Sequence, residues 1–273
     1  MSAQQGPTPA ETYEQYLVPA IAHPWTRVLL KYAAPQPGER VLDVACGTGS
    51  VARHVAPVVG TPGKVVALDV SPDMLTVARS LPAPAGATIE WRQGDAVSLD
   101  LLDDAFDLVV CQQGLQFFPD RAASVREMGR VLTAGKGRVA ISVWQALDRH
   151  PVYEALLTAT ARHLGVTLAA VDVSFSLWDA DELRALLSDA GFQRVEIVPR
   201  SLDVHLPEPE RFAQLTVLGA ATSISAFARL DAAERSTLVD AITAETQAVA
   251  DRYRVDDTLR FTMSTHIGVA YTS

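Results

Sequence analysis

The stretch VLDVACGTGS, Val41–Ser50, decides how this chain folds. An apolar run with an aspartate in its middle ends in two glycines one residue apart, and SVARHVAPVV follows at once with the periodicity of a helix. A strand that turns through glycines into a helix lets the backbone approach a ligand closely.

Working outward, strand and helix alternate from residue 40 to residue 145. RVLDVAC follows the turn at Pro37-Gly38 as a first strand, and the helix after it stops at Gly60, Pro62 and Gly63. KVVALDV is a second strand. SPDMLTVARS is a helix with Ser71 as N-cap and Pro72 in its first turn. ATIEWRQGD and FDLVVCQQ are the third and fourth strands, RAASVREMGRVL a helix and GRVAISVW a fifth strand. This order predicts an α/β, doubly wound, mostly parallel seven-stranded sheet of Rossmann-like type, with helical lid elements added. Beyond Trp144 the spacing predicts a helix in DADELRALLSDAG, with Asp179 and Glu182 in capping-box positions, then one or two strands in FQRVEIVPRSLDVHL. Two helices are expected over 208–254, the second opening at Asp231, and a last strand in LRFTMSTHIGVAYTS.

Composition narrows the partners. The chain has 273 residues, a net charge of -9 and an acidic pI near 5.1, which argues against a phosphate-tracking, nucleic-acid-binding surface. Cys46 and Cys111 each end an apolar run and read as buried thiols of a reducing cytoplasm, and no metal-ligand spacing occurs. The N-terminus lacks the charged and apolar regions of a secretory signal. FAQLTVLGAATSISAFA lies uncharged between Arg211 and Arg229, but its 17 residues include Gln214, Thr216, Thr222, Ser223 and Ser225. It reads as a helix with one apolar face and not as a membrane span.

GTGSVA, Gly47–Ala52, satisfies G-x-G-x-x-G/A, and Asp69 stands 20 residues beyond Gly49. That pattern describes nicotinamide dinucleotide and S-adenosylmethionine sites alike. Three features separate them. Asp43, inside the first strand, would be costly beside a pyrophosphate but offsets the positive charge of a sulfonium ligand. Asp95, in GDA at Gly94–Ala96, can accept from an adenine amine. No Tyr-x-x-x-Lys pair exists for hydride transfer, and no Gly-Lys-Ser/Thr for a P-loop.

VLDVACGTG, LDVSPDML, QGDA, FDLVVCQQGLQFFPD and GRVAISVW, in this order, resemble the motifs of class I S-adenosylmethionine-dependent methyltransferases, in the branch of the ubiquinone/menaquinone C-methyltransferases. The likeness covers residues 37 to 145. One departure is Ala45, where many members carry the loop's first glycine. The resemblance implies S-adenosylmethionine as cofactor and S-adenosylhomocysteine as product. It also implies that Asp43 and the backbone around Ala45, Gly47 and Gly49 face the methionine moiety and that Asp69 holds the ribose hydroxyls. Met74 would pack on the adenine, Asp95 and Ala96 meet its edge, and Gln112 line the cofactor near the methyl. Tyr16 and Trp25 lie on an N-terminal segment that folds over the cofactor in this family.

For the acceptor side, Gln112, Gln113 and Gln116 follow the fourth strand, and His150, after the fifth, is the candidate catalytic base; a surface histidine is its alternative. The expected organisation is an N-terminal helical lid over 1–36, a cofactor-binding core over 37–145, acceptor-side helices and the rest of the core over 146–207, a helical insertion over 208–258 and the last strand over 259–273. The apolar insertion reads either as a lid over a small, hydrophobic or aromatic acceptor or as a homodimer interface. A cofactor-binding protein that transfers no methyl, and a nicotinamide oxidoreductase, are the rival readings.

Overall fold

The computed structural model describes residues 7–219 and 225–273, which divide into two compact units. The larger is built from His23–Ala146, Ser174–Ser201 and Ser264–Ser273. The smaller takes the chain up to Ala22, Leu147–Val173 and Leu202–Met263.

The strands are β1 (Arg40–Val44), β2 (Lys64–Asp69), β3 (Ile89–Gln93), β4 (Leu108–Gln112), β5 (Arg138–Trp144), β6 (Gln193–Pro207), β7 (Arg254–Val255) and β8 (Thr258–Tyr271). They form one sheet in the order β3-β2-β1-β4-β5-β8-β6, with the short β7 paired to β8. β1 to β5 pair with one another in parallel, and β8 is antiparallel to β5. The order reverses between β1 and β4, so the carboxyl ends of these two strands open a crevice where ligands bind in such sheets.

Because side chains alternate along a strand, each face has its own core. Leu42, Val44, Val66, Leu68, Val109 and Cys111 point to one face, with Val125, Met128, Leu183 and Leu187 from the helices that cover it. Val41, Val65, Ala67, Leu108 and Val110 point to the other, with Leu29, Val51, Val55 and Leu75. Full burial of each such side chain is worth about 1.5–3 kcal/mol, which is why a sheet covered on both faces reads as continuous apolar runs. Asp43 shares the parity of Val41 and so faces the helix Ser50–Val59. One polar clamp closes this unit: Arg138 donates to both oxygens of Glu39, at 2.7 and 2.9 Å, and to the carbonyls of Ala33 and Ala34 at the end of the helix His23–Ala33.

Local signals match the sequence at several ends. The Ser71 side chain accepts from the Met74 amide, and Asp231 and Glu234 form a reciprocal capping box for the helix Ala232–Arg252. The expected box at Asp179 and Glu182 is not formed. Asp179 accepts from the Asp181 amide, while Glu182 pairs with Arg121 at 3.0 Å, because a nearby guanidinium outcompetes a backbone N–H for a carboxylate. β6 is a single strand of 15 residues. The first helix expected after residue 208 is described in two pieces, Phe212–Gly219 and Ser225–Ala228, and the residues between them, like Met1–Gly6, lie outside the described residues. Among the described residues no helix is long and apolar enough to cross a membrane.

In the smaller unit, Glu245 on the helix Ala232–Arg252 pairs with Arg162 and with His163 of the helix Pro151–Leu164. Tyr153, Phe212 and Phe261 meet edge to face with centroids 5.9–6.2 Å apart. Tyr13–Ala22 forms wide π-type turns with Pro19 inside them, where the missing N–H of proline would leave a gap in an α-helical ladder.

Candidate active site

The site in the larger unit is organised by the loop between β1 and the helix Ser50–Val59. Three successive odd positions, Ala45, Gly47 and Gly49, take left-handed backbone at φ 56°, 55° and 92°. The Gly47 amide donates to Asp69 Oδ2 at 2.7 Å, and the Gly49 amide to the Cys46 carbonyl at 2.9 Å. Gly49 has no room for a side chain: a Cβ there would lie 2.3 Å from Trp91 Cη2. The Trp91 indole is held on that spot by the Arg53 guanidinium, 5.2 Å from the ring centroid.

Ala45 has a physical counterpart in Gly114. A Cβ on Gly114 would stand 2.6 Å from that of Ala45, so the alanine methyl occupies space that Gly114 leaves open. The same contact sets the loop after β4, with Gln112, Gln113 and Gln116, directly against the glycine loop.

Asp43 is 1% exposed. Its Oδ2 accepts from the Ala52 amide at 2.9 Å, in the first turn of the helix. Burial pushes its carboxyl up to about 8, with the Ala52 hydrogen bond opposing and the Asp69 carboxylate adding to the rise. Asp69 is 8% exposed, with its two oxygens taking the amides of Gly47 and Ser71; burial raises its pKa as well. Each oxygen keeps a further lone pair for a ligand hydroxyl. Two desolvated carboxylates beside one loop favour a cationic ligand, and Thr48 Oγ1 is buried in that loop without a hydrogen-bond partner among the described residues. These residues fit a ligand that carries both positive charge and ribose hydroxyls.

The other expected residues fall as follows. Met74 is half-buried in the first turn of the helix Pro72–Ser80. Asp95 is exposed just past β3 and accepts from the Val97 amide, and Ala96 is buried. Gln112 ends β4, in register with Ser142 of β5. Trp25 is buried edge-to-face on Trp144 at 5.6 Å, and its helix is tied to the loop's helix by Thr26 Oγ1 and Ser50 Oγ, 2.9 Å apart. Tyr16 and His150 belong to the smaller unit. Tyr16 is 4% exposed, its phenol raised far above the usual value by burial. His150 is fully buried at the start of the helix Pro151–Leu164, so the surface alternative does not hold. Trp91 carries no motif in the sequence, and its part in the site comes from its contact with Gly49 alone, while Thr48 lies inside GTGSVA at a position the pattern leaves open.

A sequence model described as a methyltransferase domain matches residues 41–135. The chain is 34% identical over 189 residues to 2-phytyl-1,4-naphtoquinone methyltransferase of Synechococcus elongatus, covering 63% of this chain and 78% of the relative. It is 33% identical over 183 residues to the ubiquinone/menaquinone biosynthesis C-methyltransferase UbiE of Stenotrophomonas maltophilia, covering 62% and 72%. The solved phosphoethanolamine N-methyltransferase 2 of Haemonchus contortus, bound to S-adenosylhomocysteine, shares the fold at a TM-score of 0.54 and 18% identity, over 91% of this chain and 52% of that one. The chain belongs to the class I S-adenosylmethionine-dependent methyltransferases. It is an S-adenosylmethionine-dependent methyltransferase enzyme, and the cofactor is S-adenosylmethionine.

Proposed function

We propose that this enzyme methylates a small, hydrophobic aromatic metabolite of the quinone type. The carrying observation is the alignment with the naphthoquinone enzyme of Synechococcus elongatus, which spans 78% of that protein and reaches beyond the cofactor motifs. The uncharged stretch after Arg211 suits an apolar acceptor.

In this reading Asp43 balances the cofactor's positive charge, and the backbone at Ala45, Gly47 and Gly49 leaves room for its methionine end. Asp69 takes the ribose hydroxyls, Met74, Asp95 and Ala96 flank the adenine, Gln112 lines the approach to the methyl, and Tyr16 and Trp25 exclude water. The bound cofactor supplies an electrophilic methyl on a neutral leaving group. The protein's task is then to hold the nucleophilic atom in line, and positioning of this kind is worth about 7–11 kcal/mol. His150 is the base of this proposal, taking the proton that a carbon or oxygen acceptor must lose.

The test supplies S-adenosylmethionine with an isotopically labelled methyl, together with naphthoquinols, phenols, small amines and a protein and nucleic-acid extract. Label in the naphthoquinol fraction, reduced in the His150→Gln variant, is the expected result. Label confined to protein, nucleic acid or amines would overturn the acceptor class.

A further inference from the structure

Of the connections that join β1 to β5 in chain order, only the one from β3 to β4, residues 94–107, carries no helix. The sheet face beside it holds an open cavity of about 590 Å³, a size that suits a small molecule. Arg40 opens β1 with the parity of Leu42, Lys64 opens β2 with that of Val66, and Arg92 is in register with Leu68. All three side chains therefore rise from this one face. Leu99, Leu101, Leu102 and Phe106 form the apolar side of the cavity. Arg130 fixes that side by donating to the carbonyls of Leu99 and Leu101, each at 2.9 Å, while Glu127 takes the Leu99 amide at 2.8 Å. Leu102 stands 81% exposed, so apolar surface faces a ligand that enters from solvent.

The floor carries unbalanced charge. Arg40 and Lys64 are direct partners in the register of β1 with β2, about 4.8 Å apart across the sheet, and like charges so placed repel. Arg40 pairs with Asp107 at 2.9 Å, and Lys64 and Arg92 share the one carboxylate of Glu90, at 2.8 and 2.5 Å. Three cations thus hold two carboxylates. Asp100, the other carboxylate of the lining, is exposed, where water and salt screen it. Among the described residues Lys64 spends its ammonium on Glu90 alone, and Arg40 engages Nε and Nη2 but not Nη1, so both keep protons to donate. We propose that this cavity is a second binding site, for a small amphipathic monoanion: a carboxylate or sulfate head between Arg40 and Lys64, and an apolar chain along Leu99, Leu102 and Phe106. It lies toward the amino ends of β1 and β2, whose other ends carry Asp43 and Asp69, so it fills independently of the cofactor crevice. Such a ligand does what a helix in the β3–β4 connection would do, covering apolar side chains, and it also separates two cations.

The experiment titrates octanoate, acetate and 1-octanol by calorimetry into the full chain saturated with S-adenosylhomocysteine at neutral pH. Octanoate should bind at least about tenfold more tightly than either, because octanol lacks the charge and acetate lacks the chain. Lys64 and Leu102 are both exposed, so their variants keep the fold. Lys64→Glu and Leu102→Asp should each weaken octanoate by about tenfold, whereas Lys64→Arg should stay within about threefold of wild type, all with unchanged affinity for S-adenosylhomocysteine. Octanoate bound no more tightly than octanol, or equally well by Lys64→Glu, would overturn the inference, as would displacement of S-adenosylhomocysteine by octanoate. Binding of hexaglutamate without any response to octanoate would overturn it in favour of an acidic protein partner.

Discussion

Replacing Gly49 by alanine tests the central contact of the cofactor loop. The residue sits at φ 92°, ψ 26°, in left-handed backbone that costs an alanine about 1–2 kcal/mol. A methyl there would also lie 2.3 Å from Trp91 Cη2 and 2.7 Å from Cζ3, so the indole must move. It cannot move freely: Arg53 stacks on it at 5.2 Å, and Arg79 donates to the Trp91 carbonyl at 3.2 Å. Overpacking of this kind costs about 1–3 kcal/mol. The sum for Gly49→Ala is about 2–5 kcal/mol, of which only the overpacking part depends on the indole. In a double-mutant cycle with Trp91→Leu, measured by urea unfolding and far-UV circular dichroism, the two changes should therefore couple by about 1–3 kcal/mol. The thermal midpoint should fall about 2–4 °C per kcal/mol for a domain of this size. Affinity for S-adenosylhomocysteine, by calorimetry, should drop in Gly49→Ala and recover in part in the double variant. A single variant within 0.5 kcal/mol of wild type, or additive effects of the two changes, would refute the claim that Trp91 shapes the loop.

Asp43 carries a pH signature. Its folded carboxyl titrates near 8 against an unfolded value near 3.8, so between these the folded state binds the extra proton and cofactor-free stability falls as pH rises. Asp43→Asn should flatten that decline in thermal unfolding between pH 4 and pH 8 and weaken binding of S-adenosylhomocysteine; a wild-type curve rising over the same window would count against the assignment. Burial pushes Cys111 up to about 12 and Cys46 well above its usual value, so neither thiol should react with a disulfide reagent at pH 8 until the chain unfolds, and fast labelling of either would contradict this. Arg138→Met should destabilise by about 2–4 kcal/mol, since Glu39 and the carbonyls of Ala33 and Ala34 lose their donor, while affinity for S-adenosylhomocysteine stays within twofold. Unchanged stability would show the clamp to be idle.

The parallel sheet was legible because its signals are local. Apolar runs, the serine cap at Ser71 and the breaks at Gly60 and Gly63 each act within a few residues, and they mark β1 to β5 closely. The reciprocal box at Asp231 follows the same logic. The box expected at Asp179 failed because Glu182 answers to Arg121, 61 residues away, and sequence spacing holds no record of that competition. The burial of His150 was equally hidden, since a histidine before a proline reads alike at a surface turn and in a core.

The sequence alone determined the β1–loop–helix unit, the acidic residues at the ends of β1, β2 and β3, and with them the kind of cofactor. Glycine spacing and charge type constrain a ligand wherever the chain later goes. Tertiary structure alone decided what surrounds that unit: Trp91 against Gly49, Gly114 making room for Ala45, and the run of hydrogen bonds in which Thr265 donates to the Val143 carbonyl and accepts from Gln113, whose Oε1 accepts from Gln116. Thr265 lies 152 residues beyond Gln113 in the chain, and they meet only because β8 pairs with β5 in one register. A hydrogen bond's polarity is a property of partners in space, so it comes into being with the fold.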